Sequence, residues 1–298
     1  MWDELQFALA LTVSGLSIGL MYSLIALGFV LVYKATEAIN FAQGEFVMLA
    51  GFIAAVALAV NGMPVLAAIG AAVAVMVAFG FALERVVLRP LLGRPIIAVI
   101  MATIGLGAML RGLPPITVGG ETRALPLPIG DTPISLGPAS LPPIQIAGVV
   151  VTFALLGMFS WFFLKSRMGI AMRAVADNQQ VAMAMGINVE RYFALAWAMA
   201  GIVSALGGVI WGSMLGVDVQ LALVGLKVFP VVILGGLDSI GGALIGGLII
   251  GIVESLAAGY LDPYVGGGTK DFAPYVLMIL VLMVRPYGIF GRRQIERV

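Results

Sequence analysis

The sequence predicts an all-α polytopic membrane protein, and three observations carry this prediction. Of the 298 residues, 61% are hydrophobic and 10% are charged, whereas an ordinary soluble domain has about 25% charged residues. Apolar runs of about 20 residues, the length that crosses a hydrocarbon core of about 30 Å, recur along the whole chain. Ala, Leu, Gly and Met are abundant in these runs, which suits helices rather than the alternating pattern of a transmembrane β-barrel.

Nine apolar segments are predicted to form a helical bundle of about eight to nine transmembrane segments. They cover residues 7–33, 44–61, 64–84, 95–112, 146–164, 192–214, 222–236, 241–261 and 272–285. The segment 222–236 is short, carries Lys227 and is interrupted by Pro230, which predicts a re-entrant or broken helix. We expect residues 1–298 to form a single transmembrane domain.

The basic residues predict how these segments are oriented, because cytoplasmic loops carry an excess of Lys and Arg. With the N-terminus outside and nine crossings, twelve basic residues fall on inner loops and three on outer loops. The inner set is Lys34, Arg85, Arg89, Arg94, Lys165, Arg167, Arg173, Arg191, Arg285, Arg292, Arg293 and Arg297, and the outer set is Arg111, Arg123 and Lys270. The loop 113–145, rich in Pro and Gly, is therefore outside and expected to be irregular or β-like. The loop 165–191 is inside and is predicted to be helical.

Small residues recur at helical spacing in several spans. Gly15 and Gly19 are four residues apart in the first span, and Gly247 and Gly251 are four residues apart in the eighth. Such spacing lets helix backbones approach closely, so these glycines are interpreted as packing positions.

The residue inventory excludes several classes of chemistry. The chain has no cysteine and no histidine, which excludes disulfide bonds and metal sites built on these residues, and its net charge of +1 does not favour a nucleic-acid partner. An ATPase P-loop needs two glycines before its Lys-Ser or Lys-Thr pair, but Phe159 and Leu164 occupy those positions before Lys165-Ser166. We therefore expect a transport subunit rather than an enzyme, with no metal and no cofactor on this chain.

The inner loop KSRMGIAMRAVADNQQVAMAMGINVERY carries the strongest functional signal. Asp177 and Gln180 have the spacing of a capping-box variant, which predicts that a short helix starts there. Gly186 follows the apolar run and fits a left-handed position just after the helix end. The exposed face is expected to be Ala and Met, here Ala182 and Met183, which would present an adaptable surface to a partner. An amphipathic helix lying on the membrane surface is an equal alternative for the loop alone.

Two further groups of polar residues lie near or within predicted spans. Asn40, Gln43 and Glu45, in the segment NFAQGEF, are expected at the inner mouth between the first two spans, where they either line a translocation path or cap a helix start. Lys227 and Glu254 are predicted to form an ion pair near the outer third of the bundle, because their depths match and a lone charge there is costly. The alternative is that Lys227 reaches the outer interface and Glu254 faces a watery cavity alone.

Three stretches of the chain resemble the permease subunits of ATP-binding-cassette importers for branched-chain amino acids. They are the inner loop with RAVADN and MGIN, the N-terminal stretch that includes NFAQGEF, and VVILGGLDSIGGALIGGLIIGIVES followed by VRPYGIFG. Asp238 and Gly241 depart from the pattern, since Gly and Pro are expected there. The resemblance implies that the inner loop, with Asp177, Gln180, Ala182, Met183 and Gly186, docks on an ATPase subunit.

The same resemblance implies a set of partners and a location. These are two ATPase subunits that carry ATP and Mg, a related second permease in a hetero- or homodimer, an external substrate-binding protein, and the bacterial plasma (inner) membrane. Leu, Ile and Val are the expected substrates, and urea or short amides carried by the same importer class are an alternative. A stand-alone secondary transporter or channel for small polar solutes is a further alternative. Ion-coupled transporters usually have several ionisable residues deep within their spans, whereas here Glu254 is the one clearly internal acid, which argues against ion coupling.

Overall fold

The computed structural model of this chain describes residues 2–91, 94–130 and 132–291. The predicted inner residues Arg292, Arg293 and Arg297 lie outside these ranges. Within the described ranges, seven helices are long and apolar enough to cross a membrane, and a two-stranded hairpin is the regular sheet. The all-α polytopic fold is therefore confirmed.

The α-helices of the described ranges follow the predicted order along the chain. They are α1 Trp2–Thr36, α2 Gln43–Ala55, α3 Val65–Leu83, α4 Ile96–Thr117, α5 Pro143–Lys165, α6 Arg167–Asp177, α7 Gln179–Ala184, α8 Val189–Leu215, α9 Leu223–Gly235, α10 Ile240–Tyr260, α11 Asp262–Val265 and α12 Thr269–Val284. Two of them continue as π-helical turns, α2 through Val56–Val60 and α3 through Glu84–Leu88. Each of the nine predicted spans corresponds to one of these helices.

Helix α9 corresponds to the short apolar segment predicted over residues 222–236. Its 13 residues span only about 20 Å, and a 3-10 turn over Val219–Ala222 precedes it. Pro230 lies inside the helix, which continues on both sides of it, so the expected break at this proline is not seen. Helix α12, with 16 residues, is the other predicted span that is shorter than a full crossing.

The predicted outer loop contains the β-structure. Strand β1, Ile134–Leu136, pairs antiparallel with β2, Ala139–Leu141, and Ile134 lies opposite Leu141. Gly137 connects the strands with a φ of +64°, a left-handed value that glycine adopts without strain. The loop begins later than predicted, because α4 continues through Pro114 and Pro115 to Thr117.

The chain divides into two compact units, each discontinuous in sequence. Unit 1 comprises Met1–Ala26, Ile129–Thr152 and Lys227–Val298, and unit 2 comprises Leu27–Pro128 and Phe153–Leu226. The single domain expected over residues 1–298 stays a prediction.

In unit 1, glycines bring α1 and α10 into backbone contact. A Cβ on Gly19 would lie 2.3 Å from the carbonyl oxygen of Gly247, and one on Gly15 would lie 2.6 Å from that of Gly251. These distances leave no room for any side chain, so the glycine spacing is a packing feature of this helix pair.

In unit 2, α8 packs against both α2 and α3. A Cβ on Gly201 would lie 2.4 Å from the carbonyl oxygen of Met76 on α3, and one on Gly208 would lie 2.4 Å from that of Val47 on α2. Phe46 of α2 meets Trp197 of α8 at a ring-centroid distance of 6.0 Å. Helix α8 therefore forms the centre of this unit.

Contacts within unit 2 agree with the predicted alternation of loops. Arg89, from a predicted inner loop, pairs with Glu190 at the start of α8. Arg123, from the predicted outer loop, forms a backbone bridge with Val217 just after the other end of α8. Helix ends that are predicted to lie on the same side of the membrane thus contact each other. Which of the two sides is cytoplasmic stays a prediction.

Candidate functional site

The helical segment between α5 and α8 is built by three side-chain caps. Ser166 accepts a hydrogen bond from the backbone N–H of Gly169, and Asn188 accepts one from Arg191. Asn178 caps α7, its Oδ1 accepting the N–H of Val181 at 2.9 Å. The predicted cap Asp177 is wrong by one residue, since Asp177 is the last residue of α6. Capping by Asn fixes where α7 starts.

Gly186 ends α7 with the predicted left-handed conformation. Its φ is +81°, its N–H bonds to the carbonyl of Met183, and the N–H of Ile187 bonds to the carbonyl of Ala182. This pair of bonds is the Schellman motif. A helix of six residues is thereby closed at both ends.

The inward face of α7 packs on the helices of its own chain. Ala182 is 3% exposed and forms one apolar cluster with Val175 of α6 and with Val189 and Phe193 of α8. The expectation that Ala182 belongs to the exposed face is therefore wrong. Which face of so short a helix is covered depends on α8, which lies farther along the chain.

The outward face of α7 is apolar and has no cover from the described chain. Val181 and Met183 of α7 and Met185, which directly follows it, are each more than half exposed, and Ile170 of α6 is exposed as well. Gln180 is also on the exposed side. Two flexible Met side chains beside Val give a surface able to adapt to an apolar groove of a partner.

The polar segment before α2 and the first turn of α2 contact the interior of α4. The N–H of Phe41 bonds to Oγ1 of Thr103, and Glu45 pairs with Arg111. Thr103 and Arg111 are seven and fifteen residues into α4, about 10 Å and about 22 Å from its first residue. These contacts join the segment and the first turn of α2 to the interior of α4, while the position at the inner mouth stays a prediction.

The three path candidates of this segment are buried and have partners within unit 2. Asn40 donates to Oε1 of Gln43 at 3.1 Å, and Gln43 donates to Oγ of Ser204 at 3.0 Å. Glu45 is 4% exposed, and Nη2 of Arg111 lies 2.6 Å from its Oε1. The polar groups at the start of α2 are thus bonded to one another, to α4 and to α8.

Sequence reasoning did not identify Arg111 as the partner of Glu45. Arg111 was assigned to an outer loop, but it lies within α4, and its side chain is 45% exposed. Gly107, one turn before it, provides the space for the Glu45 carboxyl, since a Cβ there would lie 3.2 Å from the carboxyl carbon. An arginine inside a predicted span is the signal that could have found this pair.

In unit 1, the structure brings Lys227 and Glu254 together, with Nζ of Lys227 3.3 Å from Oε1 of Glu254. Two partners were missed from sequence. Asp271 of α12 lies 2.7 Å from the same Nζ, and the Tyr22 hydroxyl donates to Oε1 of Glu254 at 3.1 Å. Oε2 of Glu254 is buried and has no hydrogen-bond partner among the described residues. The cluster holds two carboxylates and one ammonium group.

Comparison with known proteins places this architecture in a family. The family described as "Branched-chain amino acid transport system / permease component" matches residues 11–282. The chain is 35% identical to the high-affinity branched-chain amino acid transport system permease protein BraD of Pseudomonas aeruginosa, over 99% of each chain. It is 33% identical to the corresponding protein LivH of Escherichia coli K12, over 100% of each chain.

A solved structure is also similar in fold. The similarity to PsaBC from Streptococcus pneumoniae, solved in complex with Fab, covers 94% of this chain and 92% of the matched PsaBC chain. The TM-score is 0.50 and the sequence identity is 12%. The described chain thus combines a multi-pass helical fold with full-length similarity to transport permeases. It belongs to the family of permease components of branched-chain amino acid transport systems.

Proposed function

We propose that this chain is the permease subunit of an ATP-driven importer for branched-chain amino acids, and that α7 couples it to a separate ATPase subunit. The observation that carries the proposal is the exposed apolar surface of α7, formed by Val181 and Met183 and by Met185 directly after the helix, which is capped at both ends. The chain has no P-loop, so hydrolysis of ATP and binding of Mg belong to partner subunits.

The remaining partners follow from the family. We infer two ATPase subunits, a related second permease in a hetero- or homodimer, and an external substrate-binding protein, assembled in the bacterial plasma (inner) membrane. Leu, Ile and Val are the proposed substrates, because BraD and LivH carry branched-chain amino acid transport in their names. Asn40, Gln43 and Glu45, together with Arg111, are proposed to border the path.

Substitution of Met183 tests the coupling role. Met183→Asp places a charge in the docked surface, where an unpaired charge is strongly unfavourable, and we expect substrate uptake and stimulated ATPase activity to fall at least about tenfold, as a loss of about 1.4 kcal/mol would give. Met63→Asp is the matched control, since Met63 is an exposed residue of the loop before α3. Normal stimulated activity in Met183→Asp, with the variant present at the wild-type level, would reject the coupling role.

Ligand binding to the partner binding protein tests the substrate. Its thermal stability is measured with Leu, Ile, Val and urea, and we expect stabilisation by the three amino acids. Stabilisation by urea or a short amide alone would move the chain to the alternative substrate class while leaving the importer assignment intact.

Single cysteines test the orientation, because the chain has none of its own. Ser140, exposed on β2, should react with an impermeant reagent in intact cells after replacement by Cys, whereas Cys at Gln179 should react only after permeabilisation. The opposite labelling pattern would place α7 outside and exclude contact with a cytoplasmic ATPase.

A further inference from the structure

The predicted inner end of α3 carries an ion pair whose carboxylate is buried. Glu84 begins the π-helical turn Glu84–Leu88 and is 1% exposed. Arg89 closes over it, with Nε 3.3 Å from Oε1 and Nη2 2.9 Å from Oε2. Two parallel bonds between a guanidinium and a carboxylate fix the plane of the arginine. Arg89 is thus held in one orientation by the end of α3.

The remaining side of this guanidinium reaches the start of α8. Nη1 of Arg89 lies 2.8 Å from Oε2 of Glu190, the second residue of α8. Glu190 lies two residues after the cap Asn188, so the bond is made at the point where the chain leaves the α6–α7 segment. Arg89 therefore bridges two carboxylates on two helices, and it uses separate edges for each.

The start of α8 and α7 form one packed body. Val189 and Phe193 of α8 share the apolar cluster with Ala182 of α7 and Val175 of α6. A force applied to the outward face of α7 is transmitted to the first turn of α8, because packed side chains do not deform continuously. That first turn is where Glu190 binds Arg89.

We infer that Arg89 is a positioning residue for coupling: by bridging Glu84 and Glu190 it fixes the α7 surface relative to α3. The inference rests on the proposed function, since it assigns a role to residues that would transmit the movement of a docked ATPase. Arg89 does not itself belong to the exposed α7 face. Its role is to hold the first turn of α8, and with it α7, in a fixed orientation relative to α3.

If the Arg89–Glu190 pair served only to stabilise the fold, its loss would lower the unfolding midpoint together with the activity. Glu190 has a side chain that is 51% exposed, and ion pairs that are open to water contribute little to stability. Loss of the Glu190 carboxylate alone should therefore leave the fold and the Arg89–Glu84 pair intact. Any effect of that change on coupling then reports position rather than folding.

The experiment compares variants of the complete transporter, reconstituted in proteoliposomes with its ATPase subunits and binding protein. For Glu190→Gln we expect ATPase activity stimulated by loaded binding protein to fall about three- to tenfold, with basal activity and the unfolding midpoint unchanged. Glu190→Asp, which keeps the carboxylate, should recover most of the stimulation. Glu121→Gln, at an exposed glutamate on the predicted outer side, is the matched control.

The outcomes separate this inference from the proposed function. If Met183→Asp abolishes stimulation while Glu190→Gln keeps it, the positioning role of Arg89 is overturned and α7 coupling stands. If Met183→Asp has no effect, the coupling function itself fails. A Glu190→Gln variant whose unfolding midpoint falls together with its activity would show a structural role and also overturn the inference.

Discussion

Two of the buried carboxylates, Glu45 in unit 2 and Glu254 in unit 1, are neutralised in different ways. Glu45 is 4% exposed and lies in the first turn of α2, where both Nε and Nη2 of Arg111 contact its Oε1. Glu254 is 8% exposed and lies well inside α10. Its cation, Lys227, is shared with Asp271, which is closer to it. Glu45 thus has a dedicated cation and a favourable helix dipole, and Glu254 has a shared cation and no helix end.

The difference predicts which unit tolerates the loss of a charge. A carboxylate at a helix N-terminus keeps part of its compensation when its cation is removed, because the backbone N–H groups stay in place. Glu254 keeps only the Tyr22 hydroxyl, and its Oε2 already has no partner among the described residues. Unit 1 should therefore be the more sensitive of the two.

Lys227→Met should have the largest effect. It leaves the carboxylates of Glu254 and Asp271 without the cation that they share. Breaking a buried ion pair destabilises proteins by about 3–5 kcal/mol. We expect a marked loss of folded protein and of uptake, measured as yield after size-exclusion chromatography and as transport by cells that lack their own system.

The double variant Lys227→Met, Glu254→Gln separates pairing from general damage. Removing both charges should recover part of the lost stability, since no unpaired charge is left in the core. Asp271→Asn is the matched control, because Asp271 is exposed and its loss leaves Lys227 paired with Glu254. Losses that simply add in the double variant would mean that the two residues do not stabilise each other.

Arg111→Gln is expected to have a smaller effect, about 2 kcal/mol, the range for a hydrogen bond to a charged group. Glu45 lies in the first turn of α2, so the backbone N–H groups there keep part of its compensation when Arg111 is lost. The comparison of unfolding midpoints with Lys227→Met is the direct measurement. An Arg111→Gln variant that is less stable than Lys227→Met would reverse the order proposed for the two units.

Uptake in the same Arg111→Gln variant tests the path. If Glu45 and Arg111 border the translocation route, transport per folded molecule should fall beyond the loss in yield. Transport in proportion to folded protein would leave the pair with a structural role only.

The sequence predicts the elements of this fold well because each span is encoded locally. Hydropathy over about 20 residues defines a helix, and the nine segments all correspond to helices. The Lys227–Glu254 contact could also be predicted from the sequence. An unpaired charge within a span is unfavourable, and the depth of each residue follows from the helical rise. Gly186 followed from local turn chemistry alone.

What failed depends on contacts between distant parts of the chain. Ala182 is buried because α8 covers it, and no pattern within α7 contains that information. Arg111 pairs with Glu45 from 66 residues farther along the chain, so no local pattern identified it. Asp271 joins the charged cluster from a helix that starts after a triple-glycine loop. The Asp177 cap failed for a smaller reason, a choice between adjacent residues that both cap helices.

Alanine at glycine contacts sharpens the contrast between the units. Gly19→Ala places a methyl against the backbone of Gly247, which cannot move without α10, and overpacking of this kind costs about 1–3 kcal/mol. Gly28→Ala meets only the end of the Gln43 side chain, which can turn away at the cost of its bond to Ser204, about 1 kcal/mol. Gly105→Ala, where nothing lies within 4 Å, is the control. Equal destabilisation at residues 19 and 28 would contradict the difference.

Another carboxylate, Asp262, provides a partly exposed reference for Glu45 and Glu254, and its effect should be the smallest. It lies in α11 after the end of α10, and Oδ1 accepts hydrogen bonds from the hydroxyl and the backbone N–H of Thr269. These bonds, the hydroxyl first, hold the pKa of Asp262 below its ordinary value. A carboxyl whose pKa is lower in the folded state stabilises that state fully above its unfolded pKa, about 3.9.

The contribution of Asp262 should therefore be constant from neutral pH down to about 5 and be lost as the pH falls below about 4 through the folded-state pKa. The bonds close the loop that contains Gly266, Gly267 and Gly268, all with positive φ, so their loss should open that loop locally. Cleavage there by an acid-active protease is the measurement. Wild type should become susceptible only at the lower pH, whereas Asp262→Asn, which is neutral like the protonated carboxyl, should show the same susceptibility at pH 5 and at pH 3, above that of wild type at pH 5. A wild-type loop that is equally open at both values would mean that the Asp262–Thr269 bonds do not close it.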